Sequence, residues 1–486
     1  MIRRSCAVVT LLVAALVSIC PCVAADELPE LGDVARSDLS PQIERKIGER
    51  IFNEIRLREP SYVDDPDSLD YLNRLGSRLV AASASPTAEC TFFLIRDPTI
   101  NAFAMFGGFI GVNTGTILVA QAESELAGVL AHEIAHVIQN HLARQVAREK
   151  QSSIATMIAM AVGVLAARAN SQVASAAIAS AQAGSVQAQL AYSRDFEREA
   201  DRVGYQALTQ AGYDGHGMAD FFARMQQAGR LYDNNAPVYM RSHPLTIERL
   251  SDLQNRAETG PYRQVADSVD FQLVRARLRA QASPAQESVS EFARQLRERK
   301  YLSEAATRYG LAYSLLRANN VPAAQREFDA LGALRVSSPM IPSLAAAIRM
   351  QAADPQGAAV IYRAGLQRYP DSRALAYGYA EALLAARQYD QALKLLETQL
   401  QAYSSDYKLY GYQAKTFAAT GKRLSQHRAQ AEYYFLQGQL APAIEQLQFA
   451  QQSTDGNFFE QSAVDARLRE FRRLQAEEAK QKRNGV

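Results

Sequence analysis

Between Leu126 and Ile138 the chain carries ten apolar or small residues and three ionisable ones, His132, Glu133 and His136. A run this apolar has to be buried, and an imidazole or carboxylate buried without a partner is strongly unfavourable. Any fold open to this chain must pack the segment inside and bring partners to its three polar groups. In a helix, residues i and i+4 share a face, so His132 and His136 present their imidazoles to one point. Glu133 lies about 100° round the helix, where it reaches a bound water rather than the ion. This is the two-histidine zinc motif with its general base.

A tetrahedral catalytic zinc needs a third protein ligand and leaves its fourth position to water. A third His ten residues after the first is excluded, because that position is Leu142, and Gln139 stands where the turn glycine would be. His141 is off by one and reads as a surface residue or as one standing behind a ligand. The segment Tyr192–Gly204 offers three carboxylates, Glu197, Glu199 and Asp201. Glu197 and Asp201 are four apart and share a face, whereas Glu199 points away. Glu197 can ligate, while Asp201 accepts a hydrogen bond from a ligating imidazole and fixes its tautomer.

The start of the chain is of another kind. Arg3 and Arg4 precede an apolar run from Cys6 to Ile19, and Val23-Ala24-Ala25 supplies small residues for cleavage. About 14 apolar residues are too few to span a membrane, so residues 1–25 are predicted to be a secretory signal. Of four cysteines, Cys6, Cys20 and Cys22 would leave with it, and Cys90 alone cannot form an intrachain disulfide. An exported chain without disulfides fits a periplasm. Without Arg3 and Arg4, the 53 basic residues become 51 against 51 acidic ones, and no basic excess is left to bind nucleic acid.

Ser40-Pro41 and Asp65-Pro66 read as helix N-caps and predict helices near 41–56 and 66–82. Residues 91–98 read as a strand, and 101–117 as a hairpin turning at Gly107-Gly108. Helical periodicity takes over from about Ala122. Ile154 to Ala167 is a second short apolar run, read as a buried or membrane-skimming helical hairpin. From about Glu291 no strand signal remains, and a period of 34 links Ala324, Ala358 and Ala392. Each has a large apolar residue four later: Phe328, Tyr362 and Leu396. Ala443 and Leu447 repeat the pair after 51, half a repeat out of phase. A small residue for close packing and a large one a turn later resemble the tetratricopeptide repeat.

His132-Glu-x-x-His136 followed by Glu197-x-x-Ala-Asp201 resembles the gluzincin family that includes the CAAX prenyl proteases and the HtpX-type membrane proteases. Asn101-Ala102-Phe103, followed by Gly107-Gly108, is similar to that family's strand beside the cleft, to which substrate adds in extended form. Those proteases carry several membrane spans. This chain is more similar to a periplasmic branch that joins a signal peptide, a peptidase core and a C-terminal repeat domain.

The resemblance implies a mainly α architecture: an α+β zincin-like metallopeptidase domain with a small β-hairpin or sheet, at 26–270, then an all-α repeat solenoid at 280–486. It implies one zinc per chain and a zinc-activated water, with Glu133 as base. The substrates implied are unfolded or stalled outer-membrane proteins. The implied partner is their assembly machinery, engaged by the repeats, in the periplasm with possible peripheral membrane contact. Ser242-His243-Pro244, with Arg249 beyond, matches a loop that in that branch approaches the zinc. His243 would then be a fourth ligand holding the enzyme latent, or a catalytic helper. The alternative is a repeat-based chaperone or adaptor with a largely silent peptidase core. The intact Glu133 argues against it.

Overall fold

The computed structural model describes residues 40–148, 193–230, 238–260 and 263–483. The expected signal peptide (1–25) and the apolar hairpin (154–167) lie outside the described residues. Helix α1 (Pro41–Arg58) opens as expected, with the Ser40 hydroxyl accepting from Ile43 N and Pro41 in the first turn. Helix α2 (Pro66–Ala81) also opens at its proline, but Asp65 does not cap it by side chain. That carboxylate is taken instead by the Arg277 guanidinium and the Ser68 hydroxyl.

Strand β1 (Thr91–Ile95) stops before Pro98, where the Asp97 carboxylate accepts from Thr99 N and its hydroxyl. β2 (Ala102–Ala104) and β3 (Phe109–Asn113) form the expected antiparallel hairpin, except that its second arm ends at Asn113 and residues 114–117 are helical. Gly107 and Gly108 turn it with φ of 68° and 80°, where a side chain would be strained. The hairpin is part of a three-stranded sheet ordered β1-β3-β2, with β1 parallel to β3. This leaves β2 as an edge.

After the short helix α3 (Thr114–Val119), helix α4 (Glu123–Ile138) carries the two histidines, and residues 123 to 136 are all buried. It packs against α2, β2, α6 (Arg194–Gln210) and α7 (His216–Arg230). Helix α5 (His141–Arg148) follows α4 directly, while α8 (Val238–Ser242) and α9 (Ile247–Thr259) close the other side of the centre.

Twelve helices follow among the described residues, from Val269–Ala282 to Phe458–Arg483. Ala324, Ala358 and Ala392 are fully buried on the second helices of successive pairs, and Tyr362 and Leu396 are buried a turn later. Phe328 is half-buried. Ala443 lies on a first helix, Leu440–Gln452, which accounts for its half-repeat offset. The largest apolar core runs from Val63 to Ile348 and so joins residues on both sides of 270–280. Four aspartates at the start of α2 grip this array. Asp64 pairs with Lys408, Asp65 with Arg277, Asp67 with Ser343, and Asp70 accepts from Ser372 Oγ and Ala374 N. Among the described residues no helix is long and apolar enough to cross a membrane.

Candidate metal centre and active site

The site begins where α4 and α6 cross. Gly204 makes the approach possible, since a Cβ there would sit 2.9 Å from the Ala131 backbone. Ser193 caps α6 by accepting from Phe196 N, and Glu197 falls in its first turn. The crossing brings Glu197 and Asp201 against His132 and His136, all four buried.

Nε2 of His132 and Nε2 of His136 lie 3.0 Å apart. Glu197 is 3.5 Å from each, Oε2 toward His132 and Oε1 toward His136. His243, just past α8, completes the group: its Nδ1 is 3.4 Å from His132 Nε2 and 3.0 Å from Glu197 Oε1. Donor atoms of these four residues all lie within 4.8 Å of one another. Two imidazole lone pairs facing across 3.0 Å beside a carboxylate repel unless a proton or cation sits among them. Metal–ligand bonds of about 2.0–2.2 Å in a tetrahedron give ligand–ligand edges of roughly 3.3–3.6 Å. Five of the separations, 3.0–3.5 Å, lie within that range or slightly below it, so this donor set fits a metal ion.

Glu133 turns aside from the ligands, as its place on the helix requires. Its Oε2 accepts from Ala104 N at 3.0 Å, and Oε1 lies 3.5 Å from His243 Nε2. Asp201 Oδ1 stands 3.0 Å from His132 Nδ1, within pairing distance though off the best hydrogen-bond axis. Burial pulls the His132 imidazole down, but Asp201 and Glu197 beside it win and hold it up to about 9. Burial and the neighbouring His132 push His136 well below its ordinary value. Burial alone would raise Glu197, yet His243 and His132 hold its carboxylate well below the usual range.

The role of Arg249 was not visible beforehand. Helix α9, capped by Thr246, delivers its guanidinium to Asp201 through two bonds of 2.6 and 2.8 Å and to Glu197 Oε2 at 2.6 Å. Its Nη1 also donates to the Pro244 carbonyl next to His243. The His243 ring stacks on Tyr239 at 4.5 Å. His141, expected at the surface or behind a ligand, proves buried, with Nδ1 2.8 Å from His136 Nδ1. Glu199 does point away from the centre, and there it meets His141 and Arg144. His216 pairs with Asp214 and His427 with Gln446, and neither joins the cluster.

Of the expected substrate strand, Asn101 and Ala102 are buried and Phe103 is half-buried. Asn101 O accepts from Asn113 N, and Met105 N donates to Phe109 O. By antiparallel alternation, the Asn101 carbonyl and the Phe103 backbone therefore face β3, while Asn101 N donates to the Thr116 hydroxyl. Ala102 and Ala104, rather than the whole trio, turn theirs away from β3, and Ala104 N reaches Glu133. Phe103 instead lays its ring over Gly111 and against Phe93.

A buried His-Glu-x-x-His helix, a carboxylate from a second helix and an edge strand at the base together define a metalloendopeptidase. Comparison with known proteins agrees. The profile of peptidase family M48 matches residues 66–257, and a tetratricopeptide repeat profile matches residues 349–412. The β-barrel assembly-enhancing protease of Escherichia coli (strain K12) is 31% identical over 452 residues, 93% of this chain and 92% of that protein. A relative from Vibrio cholerae is 40% identical over 288 residues, 59% of each chain. The mitochondrial metalloendopeptidase OMA1 of Schizosaccharomyces pombe is 28% identical over 224 residues, 45% of this chain and 62% of that one. The chain belongs to the family of the β-barrel assembly-enhancing proteases, with an M48 peptidase domain followed by tetratricopeptide repeats.

Proposed function

We propose that this chain is a periplasmic, zinc-dependent endopeptidase acting in the quality control and assembly of outer-membrane proteins. The observation that carries the chemistry is the buried group of His132, His136 and Glu197 with Glu133 alongside. His132 Nε2, His136 Nε2 and Glu197 hold the zinc, which when bound supplies a Lewis acid to the attacking water and the scissile carbonyl. Asp201 holds the Nδ1 proton of His132, so that ring keeps its Nε2 lone pair for the ion.

The Ala104 N–H fixes one oxygen of Glu133, leaving Oε1 as the base. Glu133 Oε1 takes the proton of the attacking water and passes it to the leaving amine. An extended substrate adds at the open end of β2, where the Ala104 carbonyl faces away from β3. This orientation puts the reacting peptide beside Glu133 because Ala104 N already lies against it.

The name of the Escherichia coli relative supports the outer-membrane role, and the apolar run from Cys6 to Ile19 supports export. In this reading residues 26–270 carry the chemistry, and the repeats of 280–486 recruit clients or the assembly machinery. One observation favours a second reading, a repeat-based chaperone or adaptor with a latent core. His243 fills the corner of the donor group that a nucleophilic water would need. We take His243 as a latch, with the repeats free to act while it is closed. The test is cleavage of a loosely folded substrate by wild type, Glu133→Gln and His243→Ala, with zinc measured in each. Proteolysis that Glu133→Gln leaves intact, or wild type with no stoichiometric zinc, overturns the enzymatic reading.

A further inference from the structure

His141 cannot be a ligand by spacing, yet it is among the most buried polar residues of the molecule and touches one of the proposed ligands. We propose that His141 and Glu199 are positioning residues for His136: a hydrogen-bond chain from His136 Nδ1 through His141 to Glu199 sets the tautomer and ring angle with which His136 faces the metal. The inference rests on the reading that His132, His136 and Glu197 hold zinc.

Counting protons along the chain gives it a single direction. His136 turns Nε2 toward the other donor atoms, so its proton belongs on Nδ1. That nitrogen is 2.8 Å from His141 Nδ1, which must then be an acceptor. A neutral His141 accepting at Nδ1 carries its own proton on Nε2. Nε2 faces Glu199 Oε2 at 3.2 Å, and Arg144 Nη1 donates to the same oxygen at 2.9 Å. Every link then has one donor and one acceptor. Reversing any proton puts two donors, or two acceptors, face to face.

The surroundings hold the relay in place. The His141 ring lies flat on Phe196, centroids 4.5 Å apart and planes 10° off parallel. The Arg144 guanidinium sits 4.5 Å from the centroid of the same Phe196 ring. The local backbone explains the placement: α4 ends at Ile138, Asn140 takes a left-handed φ of 50°, and the chain turns so that α5 starts with His141 against His136. Asn is among the few residues that adopt this conformation readily. The two proposed ligands of α4 thus have matching support, His132 from a carboxylate directly and His136 from a carboxylate through a second imidazole.

The test uses the full chain and zinc itself, with affinity read by competition against a chromophoric chelator and geometry read from the visible bands of the cobalt-substituted protein. His141→Phe keeps an aromatic ring on Phe196 but has no acceptor, whereas His141→Asn returns an acceptor oxygen near the place of Nδ1. Removing such support typically weakens metal binding about 10–100-fold. That loss, with shifted cobalt bands, is expected for His141→Phe, and His141→Asn should recover most of it. If His141→Phe binds zinc as wild type does, or if the two variants lose affinity equally, the proposal is overturned. Should His141→Phe not fold, Glu199→Leu takes its place: weaker zinc binding is expected, and wild-type affinity overturns the relay. A wild-type chain that binds no zinc would instead refute the metal reading beneath it.

Discussion

Asp65 and Asp67 share one guanidinium, Arg277, where the peptidase helix α2 meets the array, and the structure assigns them opposite effects on stability. Arg277 reaches Asp65 at 2.6 Å but Asp67 only at 3.3 Å. Burial would raise the Asp65 carboxyl, yet the nearer Arg277 holds it below its ordinary range. Burial pushes Asp67 up to about 6, and repulsion from Asp65 adds to it while Arg277 only partly offsets it. A carboxyl at about 6 in the fold and 3.8 in the unfolded chain favours folding when protonated. That contribution is complete below pH 3.8 and lost as pH rises through 6, a difference of roughly 3 kcal/mol. Asp65 has the other sign: its contribution is present above pH 3.8 and lost as pH falls through its lowered value. Asp67→Asn should therefore raise the melting temperature at pH 8 by a few degrees and change it little at pH 4. Asp65→Asn should lower it at pH 8 by the equivalent of about 3 kcal/mol, because Arg277 loses its closer partner while buried. Thermal unfolding of the full chain followed by circular dichroism at pH 4, 6 and 8 measures both. If Asp67→Asn destabilises as much as Asp65→Asn at pH 8, or acts equally at pH 4 and 8, the assignment of the two carboxylates is wrong.

Glu133→Gln should keep stoichiometric zinc by elemental analysis and lose proteolysis by about 10²–10⁴-fold, the usual contribution of a general base. Glu197→Gln should instead weaken zinc binding in chelator competition, and full zinc with full activity would remove Glu197 from the ligand set. Asp201→Asn should lower zinc affinity about 10–100-fold through His132; unchanged affinity would mean that the Asp201–His132 contact does not orient the ring. His243→Ala should raise basal cleavage, including self-cleavage, with zinc retained. A fall in activity on every substrate would make His243 a catalytic helper rather than a latch.

Features that depend on spacing along one helix were legible in the sequence. His132, Glu133 and His136 lie within five residues, Glu197 and Asp201 are one turn apart, and helical geometry fixes each set before any tertiary contact forms. Proline and glycine placed the starts of α1 and α2 and the turn of the hairpin for the same local reason. What stayed hidden depends on partners brought in from far along the chain. Asp65 has the identity of a cap, but Arg277, 212 residues on, competes for its carboxylate and wins. The parallel pairing of β1 with β3 carries no turn signature, unlike the hairpin. The change of composition near Glu291 falls inside the helix Ala285–Glu298, and the apolar core continues past it to Ile348.

Arg249 shows why such a partner matters to the chemistry. Two carboxylates one turn apart on α6, Glu197 and Asp201, would repel each other in a buried site, and the two histidines of α4 cannot neutralise both while keeping lone pairs for a metal. A fixed cation behind them offsets that repulsion, and Arg249 supplies it, hydrogen-bonded to Asp201 and ion-paired with Glu197. The same guanidinium donates to the Pro244 carbonyl, so the loop that carries His243 is tied to the groups that shape the metal site. Any backbone movement that withdraws His243 from the centre must shift that loop against Arg249. A latch built this way would respond to whatever moves α8 and α9 relative to α6, and α9 packs on α6 and α7. A substrate strand settling on β2 beside Glu133 would be one such signal, because the second oxygen of Glu133 lies 3.5 Å from His243 Nε2.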